Sequence, residues 1–322
     1  MFENSTQNKN SKTRNNGQPL VITLCFFLIL MALIVGGIGC KPAPEYKGKA
    51  KILVWPGPFS YTMMEARFVF LIDYLTQETG WKLDMVAAPR DVEAALRLVK
   101  TEKFAFAIVN PYYYLVLGKK EGAVPILKMI YSDGHDSYRG LIVCQEGSPI
   151  QSLNDLRGKQ ILASSRSSIG GFIGQWILLK QQGLDPDRDL TYQFGEPQEG
   201  IIEKVISRRA EVGFIREDVY EGFKKAKGHT PEIKVLGYSQ YFPNPCVVTF
   251  PDTNPELVEK LKAALLKLKL DNPTHRAMLE RIRMSGFSPA SVEDYKNFQD
   301  LLISYGLLSS GTIPSSQTVP SQ

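Results

Sequence analysis

Residues Gln160–Lys180 read QILASSRSSIGGFIGQWILLK. The opening "QILAS" suits a short strand, the middle is serine and glycine, and the end is an apolar run of helix length. A strand that passes through a Ser/Gly loop into a helix is half of a βαβ unit, which places the chain in the α/β class if its neighbours repeat the pattern. The loop itself has two readings. A helix start offers unpaired N–H groups and partial positive charge, so Ser164, Ser165, Ser167, Ser168, Gly170 and Gly171 could cradle an anion. The same residues would also serve as a well-capped turn.

The neighbours do repeat the pattern. Upstream, "KILVW", "WKLDMVA", "FAFAIV" and "VPILKMIY" read as strands, and amphipathic helices separate the first of them, including "DVEAALRLVK" with Asp91 as its cap. Downstream, "YRGLIVC", "LTYQF", "EVGFI" and "PCVVTF" read as strands, with "SLNDLRGK" and "EGIIEKVISRR" as helices between them. Two helices close the fold. Asn254–Pro255 starts one, with Leu257, Leu261, Leu265 and Leu268 as its buried stripe, and Ser291 with Asp294 forms a capping box for the other. Alternation at this spacing predicts mostly parallel sheets covered by helices.

In such sheets ligands bind beyond the carboxyl ends of the strands. Those ends carry Phe59, Ser60 and Tyr61; Arg90; Asn110 with Tyr112, Tyr113 and Tyr114; Ser165 to Gly171; Gln198; and Arg216. Hydroxyls, phenol rings and guanidiniums gathered in one crevice would suit a small anion. Each position also has a plainer reading. The three tyrosines could pack in a helix, Arg90 could be a solvated loop charge, and Arg216 could pair with Glu217 or Asp218 outside any cleft.

The length of 322 residues allows about two domains, and 43% hydrophobic with 22% charged residues is a globular composition. The net charge is +5, of which Lys9, Lys12 and Arg14 against Glu3 supply +2 before the first apolar run. The remainder is mild and scattered, which excludes a nucleic-acid partner on electrostatic grounds. The positive flank, the apolar "PLVITLCFFLILMALIVGGIGC" and the polar "KPAPEYKGKA" together resemble a lipoprotein signal cleaved before Cys40. Gly37 departs from that pattern, and an uncleaved anchor over Leu20–Ile38 is the alternative. Either reading places the rest of the chain outside the cytoplasmic membrane. Residues 1–40 are thus expected to be a signal segment, 41–49 a linker, and 306–322 a disordered tail.

No metal spacing, nucleophile elbow, P-loop or dinucleotide fingerprint occurs, so neither an enzyme nor a cofactor is expected. Of three histidines, His229 and His275 lie in polar contexts, and His135, in "SDGHDSY", is a loop residue near the expected crossing point with a modest claim as a ligand contact. Cys144 ends one strand and Cys246 begins another. If those strands pair antiparallel, an oxidising compartment would permit a disulfide; otherwise the two are small buried residues.

The order of segments resembles the periplasmic substrate-binding proteins of phosphate/phosphite/phosphonate ABC transporters. The carrying stretches are "FAFAIVNPYYYLVL", "SLNDLRGKQILASS", "LLKQQGLDPDRDL", "ISRRAEVGFIREDVYE", "VLGYSQYFPNPCVVTFPDTNPELVEKLKAALLKL" and "GFSPASVEDYKNFQDLL", spanning roughly Lys49 to Tyr305. The resemblance implies a two-lobed type II venus-flytrap fold, with each lobe a mixed, mostly parallel sheet flanked by helices. One lobe would take residues 50–136 plus 247–305 and the other 137–246. A monomer tethered through lipid on Cys40 would trap a small oxyanion, phosphonate-like or an organic acid, and deliver it to an ABC permease. A ligand sensor coupled to a membrane kinase or receptor is the alternative output on the same fold.

The specificity positions depart from the family pattern. Where the family has a run of hydroxyls at the helix start, Ser168 matches, but Ile169 and Gly170 do not. A ligand-contacting histidine falls on Gln198, a ligand-contacting aspartate on Arg216, and a loop tyrosine near Arg90. Arginine supplies donors only, which suits a fully ionised oxyanion. The implied ligand set is Ser60, Tyr61, Arg90, Tyr112, Tyr113, Tyr114, Ser167, Ser168, Gly170, Gln198 and Arg216.

Overall fold

The computed structural model describes residues 45–309 except 58, 133 and 228–231. The expected signal segment with Cys25 and Cys40, the first part of the linker, His229 and most of the tail lie outside the described residues. Strands β1 (Lys49–Val54), β2 (Lys82–Ala87), β3 (Phe106–Val109) and β4 (Val124–Tyr131) follow one another with helices Tyr61–Thr79, Val92–Thr101 and Pro111–Glu121 between them. Each helix begins where the sequence provides a cap. Ser60, Asp91 and Asn110 accept from the N–H groups of Met63, Ala94 and Tyr113. Two of these helices stop at a left-handed glycine, Gly80 at φ 76° and Gly122 at φ 70°.

The chain then crosses through β5 (Ser137–Tyr138) and lays down β6 (Gly140–Gln145), β7 (Gln160–Leu162), β8 (Thr191–Gln193), β9 (Val212–Arg216) and β10 (Ile233–Tyr238). It returns through β11 (Phe242–Pro243) to add β12 (Cys246–Thr249) and β13 (Met284–Pro289) to the first sheet. The first sheet therefore has the order β13-β4-β12-β3-β1-β2 and the second β10-β6-β9-β7-β8. β1 runs parallel to β2 and β3, and β7 parallel to β8 and β9; β12, β13 and β6 run antiparallel to their neighbours. The two crossing segments pair with each other, Tyr138 against Phe242 and Ser137 against Pro243. The result is an α/β fold of two lobes, each a mixed sheet flanked by helices. Central strands β3 and β9, each between one parallel and one antiparallel neighbour, are buried throughout, as expected for strands covered on both faces.

Two local expectations change. The last helix does not run on from the Ser291–Asp294 box as one element. The box forms, with the Ser291 amide and hydroxyl both donating to Asp294 Oδ2, but a 3₁₀ turn at Glu293–Tyr295 precedes the helix Lys296–Ser304. The strands carrying Cys144 and Cys246 do not pair. β6 lies between β9 and β10 and β12 between β3 and β4, so neither has an open edge for the other. Both cysteines are free and buried, and burial pushes the Cys246 thiol well above its usual range. A thiol reagent should therefore label neither cysteine in the native protein, and a reductant should leave its Tm unchanged. Reagent titration before and after unfolding checks this, and a reductant-sensitive Tm would restore the disulfide.

Candidate functional site

The quoted stretch leaves β7 and turns at Ile169–Ile173 in a π-helical turn before the helix Gly174–Gln181. Two wide bonds define that turn: Ile173 N donates to Ser168 O at 2.9 Å and Gly174 N to Ile169 O. Turns of this kind are rare and gather at functional sites. The glycines here provide space. A Cβ on Gly170 would lie 2.5 Å from Arg216 Cγ and 3.0 Å from the Tyr138 ring. One on Gly171 would lie 2.6 Å from Gln198 Nε2, 2.8 Å from Ser168 Oγ and 2.9 Å from Ser164 Oγ. The turn is fixed from below by the fully buried Gln175, whose Nε2 donates to the carbonyls of Leu141, Gly170 and Ile215 at 3.1, 2.8 and 3.0 Å.

Arg216 ends β9 against this turn, with 3% of its surface exposed. Its backbone N–H donates to Gln198 Oε1 at 2.6 Å, at the first position of the helix Gln198–Ile206. Its Nε and Nη2 donate to Asp218 Oδ1 and Oδ2 at 2.8 and 2.9 Å. The guanidinium lies 4.7 Å from the Tyr131 ring centroid and 4.4 Å from that of Tyr138. Burial by itself would lower the pKa of the guanidinium. The Asp218 charge, the neighbouring tyrosines and the hydrogen bonds outweigh burial and raise it, so the group stays cationic. Arg216 thus pairs with Asp218 and not with Glu217, which pairs with Arg139.

The first lobe reaches this region through two loops. Asn110 Nδ2 donates to Ser167 O at 3.0 Å, and Ser167 Oγ donates to Arg90 O at 2.6 Å, so Ser167 holds the lobes together. The Arg90 guanidinium turns back to the carbonyls of Gly57 and Phe59, and its backbone N–H donates to Tyr61 Oη. An ion pair between Arg283 and Glu199, at 3.1 Å, is a further tie across the crevice.

Two spaces result. An inner cavity of about 40 Å³ is lined by Trp55, Phe59, Tyr131, Arg216, Asp218 and Arg283 among others. An outer pocket of about 360 Å³ is lined by Arg90, Tyr112, Ser164, Ser165, Arg166 and Ser167 among others. Three buried polar groups here have no hydrogen-bond partner among the described residues: Trp55 Nε1 in the inner cavity, Ser164 Oγ in the outer pocket, and Gln198 Nε2 at the turn. They are 7%, 1% and 1% exposed, respectively.

Of the expected ligand set, Arg90, Tyr112 and Ser167 meet in the outer pocket, while Ser168, Gly170, Gln198 and Arg216 meet at the π turn. Others lie elsewhere. Ser60 caps its helix from an exposed position, and the half-exposed Tyr61 tethers Arg90. Tyr113 is in the core, with its hydroxyl on the Pro89 carbonyl, and Tyr114 packs edge-on against Tyr295 at 5.0 Å. Burial pushes both phenols well up, and neither lines the two spaces. His135 is exposed, and its carbonyl accepts from Asn244 Nδ2. Trp55, Tyr131 and Asp218 join the site without having been expected as ligand groups. Trp55 follows β1 and Tyr131 ends β4, so the carboxyl-end rule extends to both.

Comparison with known proteins places this geometry. The chain has the fold of the binding-protein component of an ABC phosphonate transporter from Pseudomonas aeruginosa (15% identity, 80% of this chain and 87% of that one, TM-score 0.71). It is similarly related to PhnD1 of Prochlorococcus marinus, solved with methylphosphonate (15% identity, 83% and 100%, TM-score 0.70). A Xanthomonas citri protein solved with chloride is a third relative in fold (18% identity, 80% and 97%, TM-score 0.64). The family model described as "ABC transporter, phosphonate, periplasmic substrate-binding protein" matches residues 58–295, most of the chain. The chain therefore belongs to the periplasmic substrate-binding proteins of phosphonate-type ABC transporters, extracytoplasmic proteins that bind a small anion for an importer.

Proposed function

We propose that this protein captures a small, fully ionised oxyanion bearing an organic substituent. Arg216, Gln198 Nε2 and Ser164 Oγ take the headgroup, and the outer pocket takes the substituent. The observation that carries this reading is the set of buried polar groups without a partner among the described residues, beside a buried guanidinium. A buried polar group left unpaired costs about 1–3 kcal/mol, and a ligand headgroup would remove that cost. Charge-assisted bonds from Arg216 would add about 1.5–3 kcal/mol each, more than the roughly 0.3–1 kcal/mol typical of a helix terminus, so the arginine leads recognition. The outer pocket, at about 360 Å³, has room for more than an inorganic ion.

In this reading the lobes, residues 50–136 plus 247–305 and residues 137–246, open and close about the β5–β11 pair. A monomer anchored by lipid on Cys40 hands its cargo to a membrane permease. A thermal-shift screen of the purified protein against phosphate, phosphite, methylphosphonate, methanesulfonate and small carboxylates tests the reading. A ligand at 100 times its Kd adds about 2.7 kcal/mol of stability. The expected result is a shift with an organic oxyanion that Arg216→Ala abolishes and Ser168→Ala only weakens. Full binding by Arg216→Ala, or no shift with any compound, would reject the reading.

A further inference from the structure

We propose that Asp218 is a built-in competitor for the ligand, a carboxylate that holds the Arg216 fork until an oxyanion displaces it. The inference rests on the capture reading above, because it concerns the same guanidinium. Asp218 meets Arg216 through two parallel bonds from Nε and Nη2, the bidentate geometry with which arginine takes any headgroup presenting two coplanar oxygens. The carboxylate is therefore a stand-in for the headgroup. The rings of Tyr131 and Tyr138 lie against the guanidinium, which leaves its edges for hydrogen bonding. Both members of the pair line the inner cavity, whose 40 Å³ has room for a few waters, so a substituted oxyanion gains space where the carboxylate gives way. An anion that takes the Nε/Nη2 edge of Arg216 must take the place of Asp218.

Asp218 has somewhere to go. Its side chain is 25% exposed, against 4% for that of Arg216. It also lines a separate groove of about 840 Å³, shared with His135, Arg139, Glu217, Lys225 and Tyr241. It sits in the first turn of the helix Glu217–Lys227, where a carboxylate is favoured whether or not Arg216 holds it. The exchange thus swaps one anion for another on a buried cation and leaves the displaced carboxylate solvated at a helix start. Affinity is set by how far the incoming headgroup outbids Asp218.

The test titrates inorganic phosphate and methylphosphonate into the wild type, Asp218→Asn, Asp218→Ser and the double variant Arg216→Met/Asp218→Asn, following Tm and heat of binding. Asp218→Asn keeps the size and one acceptor, and Asp218→Ser keeps a residue suited to a helix start should the amide fail to fold. The expected result is binding of at least one probe about tenfold tighter in Asp218→Asn or Asp218→Ser than in the wild type, with the gain lost in the double variant. Equal or weaker binding by the folded single variants would overturn the proposal, as would failure of both to fold, which would make Asp218 a structural partner only. The two readings fail separately. If Arg216→Ala abolishes ligand shifts in the wild type but Asp218→Asn gains nothing, capture stands and competition falls. If Arg216→Ala binds normally, both fall.

Discussion

Gln175→Leu should lower the free energy of unfolding by about 2–4 kcal/mol. The side chain is fully buried, and its Nε2 is shared among three carbonyls, one each from β6, β9 and the π turn. Leucine has similar bulk and no donor, so the two hydrogens these carbonyls share are lost, at about 1 kcal/mol net each, with a further penalty wherever a carbonyl is left unpaired. One gain offsets part of the loss: Gln175 Oε1 itself has no partner among the described residues, and leucine removes that orphan. The fit around the amide is tight, since a Cβ on Gly140 would lie 2.4 Å from Gln175 Nε2. Urea unfolding should show a lower midpoint with an unchanged slope. Because Gly170 O is one of the three acceptors, the turn should loosen and anion affinity should fall with stability. A midpoint within error of the wild type would mean that the three bonds contribute nothing net.

Gln175 also illustrates what a sequence conceals. It lies inside "FIGQWILLK", where nothing in the spacing separates a buried bridging amide from a solvent-facing one. Local features were legible because their physics is local. Asp91, Asn110 and Asn254 cap the helices that follow them, and Leu257, Leu261 and Leu265 form a buried stripe. The alternation of strand and helix led directly to two covered sheets. Strand pairing was less legible, since partners are distant in the chain, and the cysteines failed on that point.

The tyrosine run shows a geometric limit. Consecutive helical residues point in different directions, so Tyr112, Tyr113 and Tyr114 cannot all face one crevice. Tyr112 lines the outer pocket, and the other two fill the core. Arg216 and Asp218 straddle a strand-to-helix junction, where the rule for facing residues changes from one element to the next. The sequence therefore leaves their pairing open, and only the fold turns an i, i+2 spacing into a bidentate pair facing the cavity.

The second large effect separates two adjacent glycines. In Gly170→Ala the new methyl would meet Arg216 Cγ at 2.5 Å, in the middle of a side chain held by Asp218 and flanked by two rings. The arginine must shift its stem to make room. Disrupting a buried ion pair typically costs about 3–5 kcal/mol, against which alanine in a helix returns roughly 1 kcal/mol. A net loss of about 2–4 kcal/mol is expected, and anion binding should disappear with it. In Gly171→Ala the three atoms nearest the methyl are side-chain ends, Gln198 Nε2, Ser168 Oγ and Ser164 Oγ, which must give way without moving the backbone or the Arg216 stem. The propensity gain of roughly 1 kcal/mol should leave stability near that of the wild type. Yet two of those displaced atoms, Gln198 Nε2 and Ser164 Oγ, are assigned to the headgroup, so affinity should drop about tenfold or more, equivalent to about 1.4 kcal/mol. Thermal melts and calorimetric titration of the two variants distinguish the roles. One neighbour guards the ion pair, and the other guards the donors. Wild-type affinity in Gly171→Ala would remove Gln198 and Ser164 from the ligand shell, whatever the fate of Arg216.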